Sequence, residues 1–292
     1  PLLRLKLFLA SWPVVWATIV LAMGVVTVTL LSRTLPYLRP ENQLAPVPSS
    51  TQRIDRSDLS TLSTDRLTTL AIESFQQQNP NLGYQAIQHL LDRNDREPAQ
   101  QVLKSLTGPE ANQPPVYFLK GRLAWQAVEA GDRRHSIKEA RTYWDMAIQR
   151  QPNVPLYQIA LGFAYYAEGK LDQADRTWFQ ALYLLEEKRV AARQQQTHNQ
   201  PIAEAQPQTN PAFDQEILTT YAGLALVLLQ SAEGRPTAKR NALLSRSREL
   251  YLKVKAESPK QFHPKVLDQN WLWSKRAIQD WEMLTRTMEG RG

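Results

Sequence analysis

The chain has 292 residues and carries 35 Lys+Arg against 28 Asp+Glu, a net charge of +7. It contains no cysteine, which excludes a disulfide framework and any thiolate metal site. Its 42% hydrophobic content is ample for a folded core, and the length allows one large or two small domains.

Leu7 to Ser32 holds 26 consecutive residues without a charge, between Lys6 and Arg33. About 20 apolar residues in a helix cross a hydrocarbon core. The run is longer than a signal h-region and ends without a small-residue cleavage site. It is also apolar on every side, which a core helix rarely is. Residues 1–33 are therefore expected to form a single membrane anchor, embedded in the bilayer through Leu7–Ser32. Arg4 and Lys6 on one flank balance Arg33 and Arg39 on the other, so the side on which the rest of the chain lies stays open.

Residues 34–63 begin with Pro36, Pro40, Pro46 and Pro48, followed by Ser49, Ser50 and Thr51, and read as an extended spacer. From 64 to 190 the apolar spacing is helical, with no alternating β-branched runs. Residues 191–211 are rich in Gln, Asn and Pro and read as a linker. Residues 212–292 return to helical spacing. The fold class expected is all-α.

The 155–186 stretch has a distinctive internal spacing: Leu161-Gly162, Tyr165, Gly169, Ala174, Trp178 and Ala181-Leu182. Small residues sit where two antiparallel helices touch, large rings fill between pairs, and Gly169 suits a left-handed helix end. This stretch resembles the tetratricopeptide repeat (TPR), a 34-residue helix–turn–helix. Gly121, Ala140, Trp144, Ala147-Ile148 and Pro152 match the same template with about seven extra residues at the turn. Tyr221-Ala222-Gly223-Leu224, with Tyr251, Val254 and Pro259, match it with a turn about twelve residues too long. Leu82-Gly83 to Leu106 reads as a degenerate first unit, and Asp268–Met288, with Trp271, Trp273 and Trp281, as a terminal capping helix. The resemblance spans 64–288 and implies an α-solenoid behind one transmembrane helix.

In TPR arrays the first helix of each pair lines a concave groove. The resemblance therefore implies a partner-binding groove of Phe118, Arg122 and Trp125; Ile159, Phe163 and Tyr166; and Thr220, Leu224 and Val227. Such a surface suits an amphipathic or extended segment of a partner. Where TPR domains that grip chaperone C-termini place Lys and Asn, this chain has Phe118 and Arg122 or Ile159 and Phe163, so that activity is not expected.

No catalytic spacing is present. His89, His135, His198 and His263 are scattered, and no phosphate loop or nucleophile elbow occurs. No enzyme activity, metal or cofactor is expected. Arg235–Gly292 carries 13 Lys+Arg against 6 Asp+Glu, so the whole excess of positive charge sits there. It fits an anionic surface, with nucleic acid disfavoured by a membrane tether. The layout resembles thylakoid TPR factors that assist photosystem I, which implies a scaffold for assembling or stabilising a multisubunit membrane complex. The other class it fits is a periplasm-facing TPR protein of a secretion, cytochrome-maturation or cell-wall machine.

Overall fold

The computed structural model describes residues 59–199 and 211–289. The expected anchor and most of the spacer lie outside these residues, as do 200–210. Among the described residues there are eleven α-helices, one 3-10 turn and no strand. None of these helices is long and apolar enough to cross a membrane. In chain order they are α1 Thr64–Gln76, α2 Pro80–Asp92, α3 Arg96–Ser105, α4 Pro114–Glu129, α5 Ile137–Arg150 and α6 Pro155–Ala167. They continue with α7 Leu171–Asn199, α8 Pro211–Ser231, α9 Thr237–Glu257, α10 Pro264–Leu267 and α11 Lys275–Glu289.

Local chemistry sets these boundaries. Prolines open α2, α4, α6 and α10, where a missing N–H leaves no bond unmade. Ser136 caps α5, accepting from the Glu139 N–H at 3.2 Å. Four helices stop in one way: Asn79, Asp95, Asp132 and Lys170 donate back to the carbonyls of Ser74, Leu90, Ala127 and Tyr165. Gln78, Asn94, Gly131 and Gly169 supply the positive φ that this closure needs.

The helices pair as antiparallel hairpins, α1 with α2, α4 with α5, α6 with α7 and α8 with α9, and successive hairpins stack. Gly83 is thus set against Phe75 of the preceding helix, so α2 pairs backwards with α1, where a unit running forward to Leu106 was expected. One register recurs on three second helices. Ala140, Trp144 and Ala147, then Ala174, Trp178 and Ala181, then Ser247, Tyr251 and Val254 are all buried. The 0, +4, +7 spacing places them on one stripe toward the first helices.

Each tryptophan of this register is seated in a notch. Trp144 Nε1 donates to the Phe118 carbonyl and Trp178 Nε1 to the Ile159 carbonyl, both at 3.2 Å. In each case a glycine stands three residues beyond the acceptor. A Cβ on Gly121 would come within 2.5 Å of Trp144, and one on Gly162 within 2.7 Å of Trp178 Cδ1. Only a residue without a side chain lets the indole reach the helix backbone. In the third pair Ser247 Oγ donates to the Ala225 carbonyl at 2.8 Å instead.

Two apolar clusters meet at α4. Val116, Leu119 and Leu123 face the cluster built by α1 to α3, while Phe118, Ala124 and Trp125 face the larger one formed by the later helices. Three segment boundaries differ from expectation. Leu59, placed in the spacer, is fully buried, and Arg93 donates to the carbonyls of Leu59, Ser60 and Leu62. The linker expected from 191 begins later, because α7 stays helical to Asn199; Ala, Arg and Gln hold a helix on intrinsic preference without apolar spacing. The extra residues of the last hairpin lie mainly in longer helices, not in the turn. α9 starts ten residues before Ser247, whereas α7 starts three before Ala174.

Candidate interaction surface

The nine expected groove residues do come together on the first helices α4, α6 and α8, but not as an open groove. Phe118, Arg122, Trp125, Ile159, Phe163, Tyr166 and Leu224 are all buried, none more than 4% exposed. Thr220 and Val227 are buried as well. The cover is the chain's own C-terminal segment. Expected to cap the end of the stack, it turns inward instead and crosses the first helices.

The aromatic residues explain why. Trp273 and Trp281 pack at 5.8 Å between ring centroids, with Phe262 about 6 Å from both. Trp273 lies 5.3 Å from Phe163, Trp271 lies 6.0 Å from Phe118, and Trp281 lies 5.3 Å from Tyr251. Rings of this size lose most by staying in water and gain further from edge-on contacts, ~0.5–1.5 kcal/mol each. A polar capping helix cannot be made from such a sequence, so it is buried where other aromatics face it.

Polar contacts fix the register of this segment. Trp125 Nε1 donates to the Trp271 carbonyl at 2.9 Å. The Arg122 guanidinium lies 4.4 Å over the Trp271 ring and pairs with Asp92 at 2.5 Å. Burial lowers the Arg122 pKa, and the Asp92 charge opposes that shift. Glu129 accepts from the Lys275 N–H at 3.0 Å, and Ser274 Oγ from the Ala277 N–H at 3.2 Å, so the start of α11 is capped by both. Tyr166 donates to Asp280 at 2.7 Å, with Arg276 above the Tyr166 ring. Burial, then the Asp280 bond, push the Tyr166 hydroxyl far above the usual tyrosine range.

With the inner face filled, the apolar groups left in water lie elsewhere. On α7, Phe179, Tyr183 and Val190 are 48%, 59% and 49% exposed. Their spacing of four and then seven residues keeps them on one face, turned away from the buried Ala174–Trp178–Ala181 stripe. A groove expected on the first helices does not include them, because they stand on a second helix. Their signal was present: Phe179 and Tyr183 lie off the register that buries Trp178 and Ala181. On α9, Leu252 is 50% exposed among basic side chains.

Among the described residues no group of three His, Cys, Asp or Glu side chains converges to hold a metal. His135 lies 3.0 Å from Glu139 and His263 caps α10, both local contacts. The arrangement offers apolar contact and charge. Compared with known proteins, the chain matches no family model and no curated protein.

Proposed function

We propose that this chain is a membrane-tethered scaffold of TPR-like hairpins that holds partner proteins while a multisubunit membrane complex is assembled or stabilised. The observation that carries the reading is the α7 stripe. Three large apolar side chains stand in water in one line, while the other aromatics whose burial is described are buried or half-buried. Interface energy concentrates on such aromatic anchors, at ~2 kcal/mol or more for each hot spot. The partner suited to the stripe is an apolar helix face of a complex subunit, lying along α7 with Phe179 and Tyr183 as anchors. Leu7–Ser32 supplies the tether, and the recurring small–aromatic–small register supplies the likeness to TPR hairpins.

The test is co-purification of the full chain in mild detergent. Phe179→Ala with Tyr183→Ala should lose the bound subunits while the helical circular-dichroism signal is kept. Leu252→Ala, on another helix, should retain them. Equal recovery from the double variant and the wild type overturns the α7 assignment.

A further inference from the structure

With the segment after α9 turned inward, α9 has no further hairpin packed on it among the described residues. α5 is covered by the next hairpin through α6, and α7 through α8. Among the described residues no hairpin follows α9, and its outer face is exposed. That face has an unusual charge: Thr237–Glu257 carries six Lys+Arg against Glu249 and Glu257. A solvated end-cap needs polar residues of either sign, not an excess of one. Lys239, Arg246 and Lys253 recur every seven residues and fall nearly on one line. Leu252 stands exposed between the cations Arg248 and Lys253.

Neighbouring groups neutralise only part of this charge. Lys253 lies 4.1 Å over the Tyr221 ring, and Arg246 feels Asp175. Lys239, Arg240 and Arg248 are exposed and form no hydrogen bond or ion pair among the described residues. The basic excess of Arg235–Gly292 is therefore not one patch. In the segment beyond α9, Arg286 lies against Glu282 and Arg276 against Tyr166 and Asp280. Exposed Lys260, Lys265 and Lys275 follow singly in that segment, whereas α9 carries its cations together on one helix.

We infer that the outer face of α9 docks on an anionic lipid surface, with Lys239, Arg246, Arg248 and Lys253 over the headgroups and Leu252 entering the interface. The inference rests on the membrane-tether reading above. The 25 residues Thr34–Asp58 between anchor and helices span at most about 80–90 Å fully extended, so the domain cannot leave the vicinity of the bilayer. A tether of that length keeps the effective concentration of lipid high, and a weak multi-cation contact suffices. Each Lys or Arg near an anionic leaflet contributes about fivefold in partitioning.

The chain has no cysteine, so Ser245→Cys, on the exposed side of α9, gives one labelling site for a nitroxide. The full chain is mixed with nanodiscs of phosphatidylcholine alone or with one-third phosphatidylglycerol, and collision with a water-soluble nickel chelate is measured. The label should be shielded in the anionic discs and open in the zwitterionic ones. Lys239→Glu with Arg248→Glu and Lys253→Glu should reopen it, since three reversals remove more than a hundredfold of partitioning, at about fivefold each. Half-molar salt should do the same. If the chain enters both kinds of disc and the label is equally open in each, the α9 proposal fails and the tether stands. Binding to anionic discs alone, with shielding, upholds α9 and refutes the tether. A chain that elutes apart from both kinds of disc refutes both.

Discussion

Trp178 is held between two glycines, and this makes a sharp prediction. A Cβ on Gly162 would lie 2.7 Å from Trp178 Cδ1, and one on Gly223 2.6 Å from Cε2. Ordinary contact begins near 3.4 Å, so each alanine intrudes by several tenths of an ångström. The indole is fully buried, has Phe163 at 5.0 Å and is bonded to the Ile159 carbonyl. Gly→Ala inside a helix gains about 1 kcal/mol in intrinsic preference. Overpacking costs about 1–3 kcal/mol. Each single variant should thus be destabilised by about 1 kcal/mol, because the ring can still shift toward the opposite glycine. In Gly162→Ala with Gly223→Ala that escape is closed from both sides. The pair should lose more than the sum of the singles, by roughly 0.5–3 kcal/mol of coupling. Urea unfolding of the full chain in detergent, followed by far-ultraviolet circular dichroism, measures all three. In a Trp178→Leu background the same alanines should become neutral or stabilising. If both alanines stabilise the wild type by about 1 kcal/mol and add, the indole does not occupy the notch.

Three further outcomes are expected. Truncation after Glu257 uncovers Phe118, Trp125 and Phe163, so the shortened chain should bind an apolar dye strongly and self-associate; a monomer with wild-type dye signal would contradict the inward cover. Ala174→Leu forces volume into a fully buried contact between α6 and α7 and should cost ~1–3 kcal/mol in the same urea assay; unchanged stability would mean that the register is misplaced. Burial pushes the Tyr157 hydroxyl up to about 12, and Tyr166 is raised further by burial and Asp280. The unfolded chain loses these protons first, near pH 10, so the folded state then binds more protons and stability falls as pH rises from about 10 through 12. Tyr166→Phe should flatten that alkaline fall while costing ~1–3 kcal/mol at neutral pH, where Asp280 loses its donor; an unchanged alkaline slope would count against it.

What was legible in the sequence follows from how local each signal is. Pro155 and Gly169 state where α6 begins and ends, and Ala174, Trp178 and Ala181 state which side of α7 is buried, because each effect acts within a few residues. The long α7 was missed beyond 190 because Gln and Arg helices carry no apolar spacing. The covered inner face was missed for a different reason. Phe118, Phe163 and Tyr166 read as a groove from a single helix each, and nothing within that helix tells whether a ring faces water or Trp273. The answer lay more than a hundred residues away, in three tryptophans whose burial demanded a partner surface. The α7 stripe became readable only once the inner face was filled.

The hydrogen bond from Trp125 to Trp271 joins residues 146 apart, and Glu129 reaches Lys275 across the same interval. A hairpin stack ordinarily forms by short loops, each unit settling on the one before. Here α4 cannot complete its inner surface until the segment around Trp271 has left the ribosome, about 7–30 s later at 5–20 residues per second. During synthesis Trp125 and Phe163 remain uncovered, so the nascent stack is adhesive until Trp271 and Trp273 arrive. Trp271, Trp273 and Trp281 thus set the moment at which the inner faces of α4 and α6 leave water.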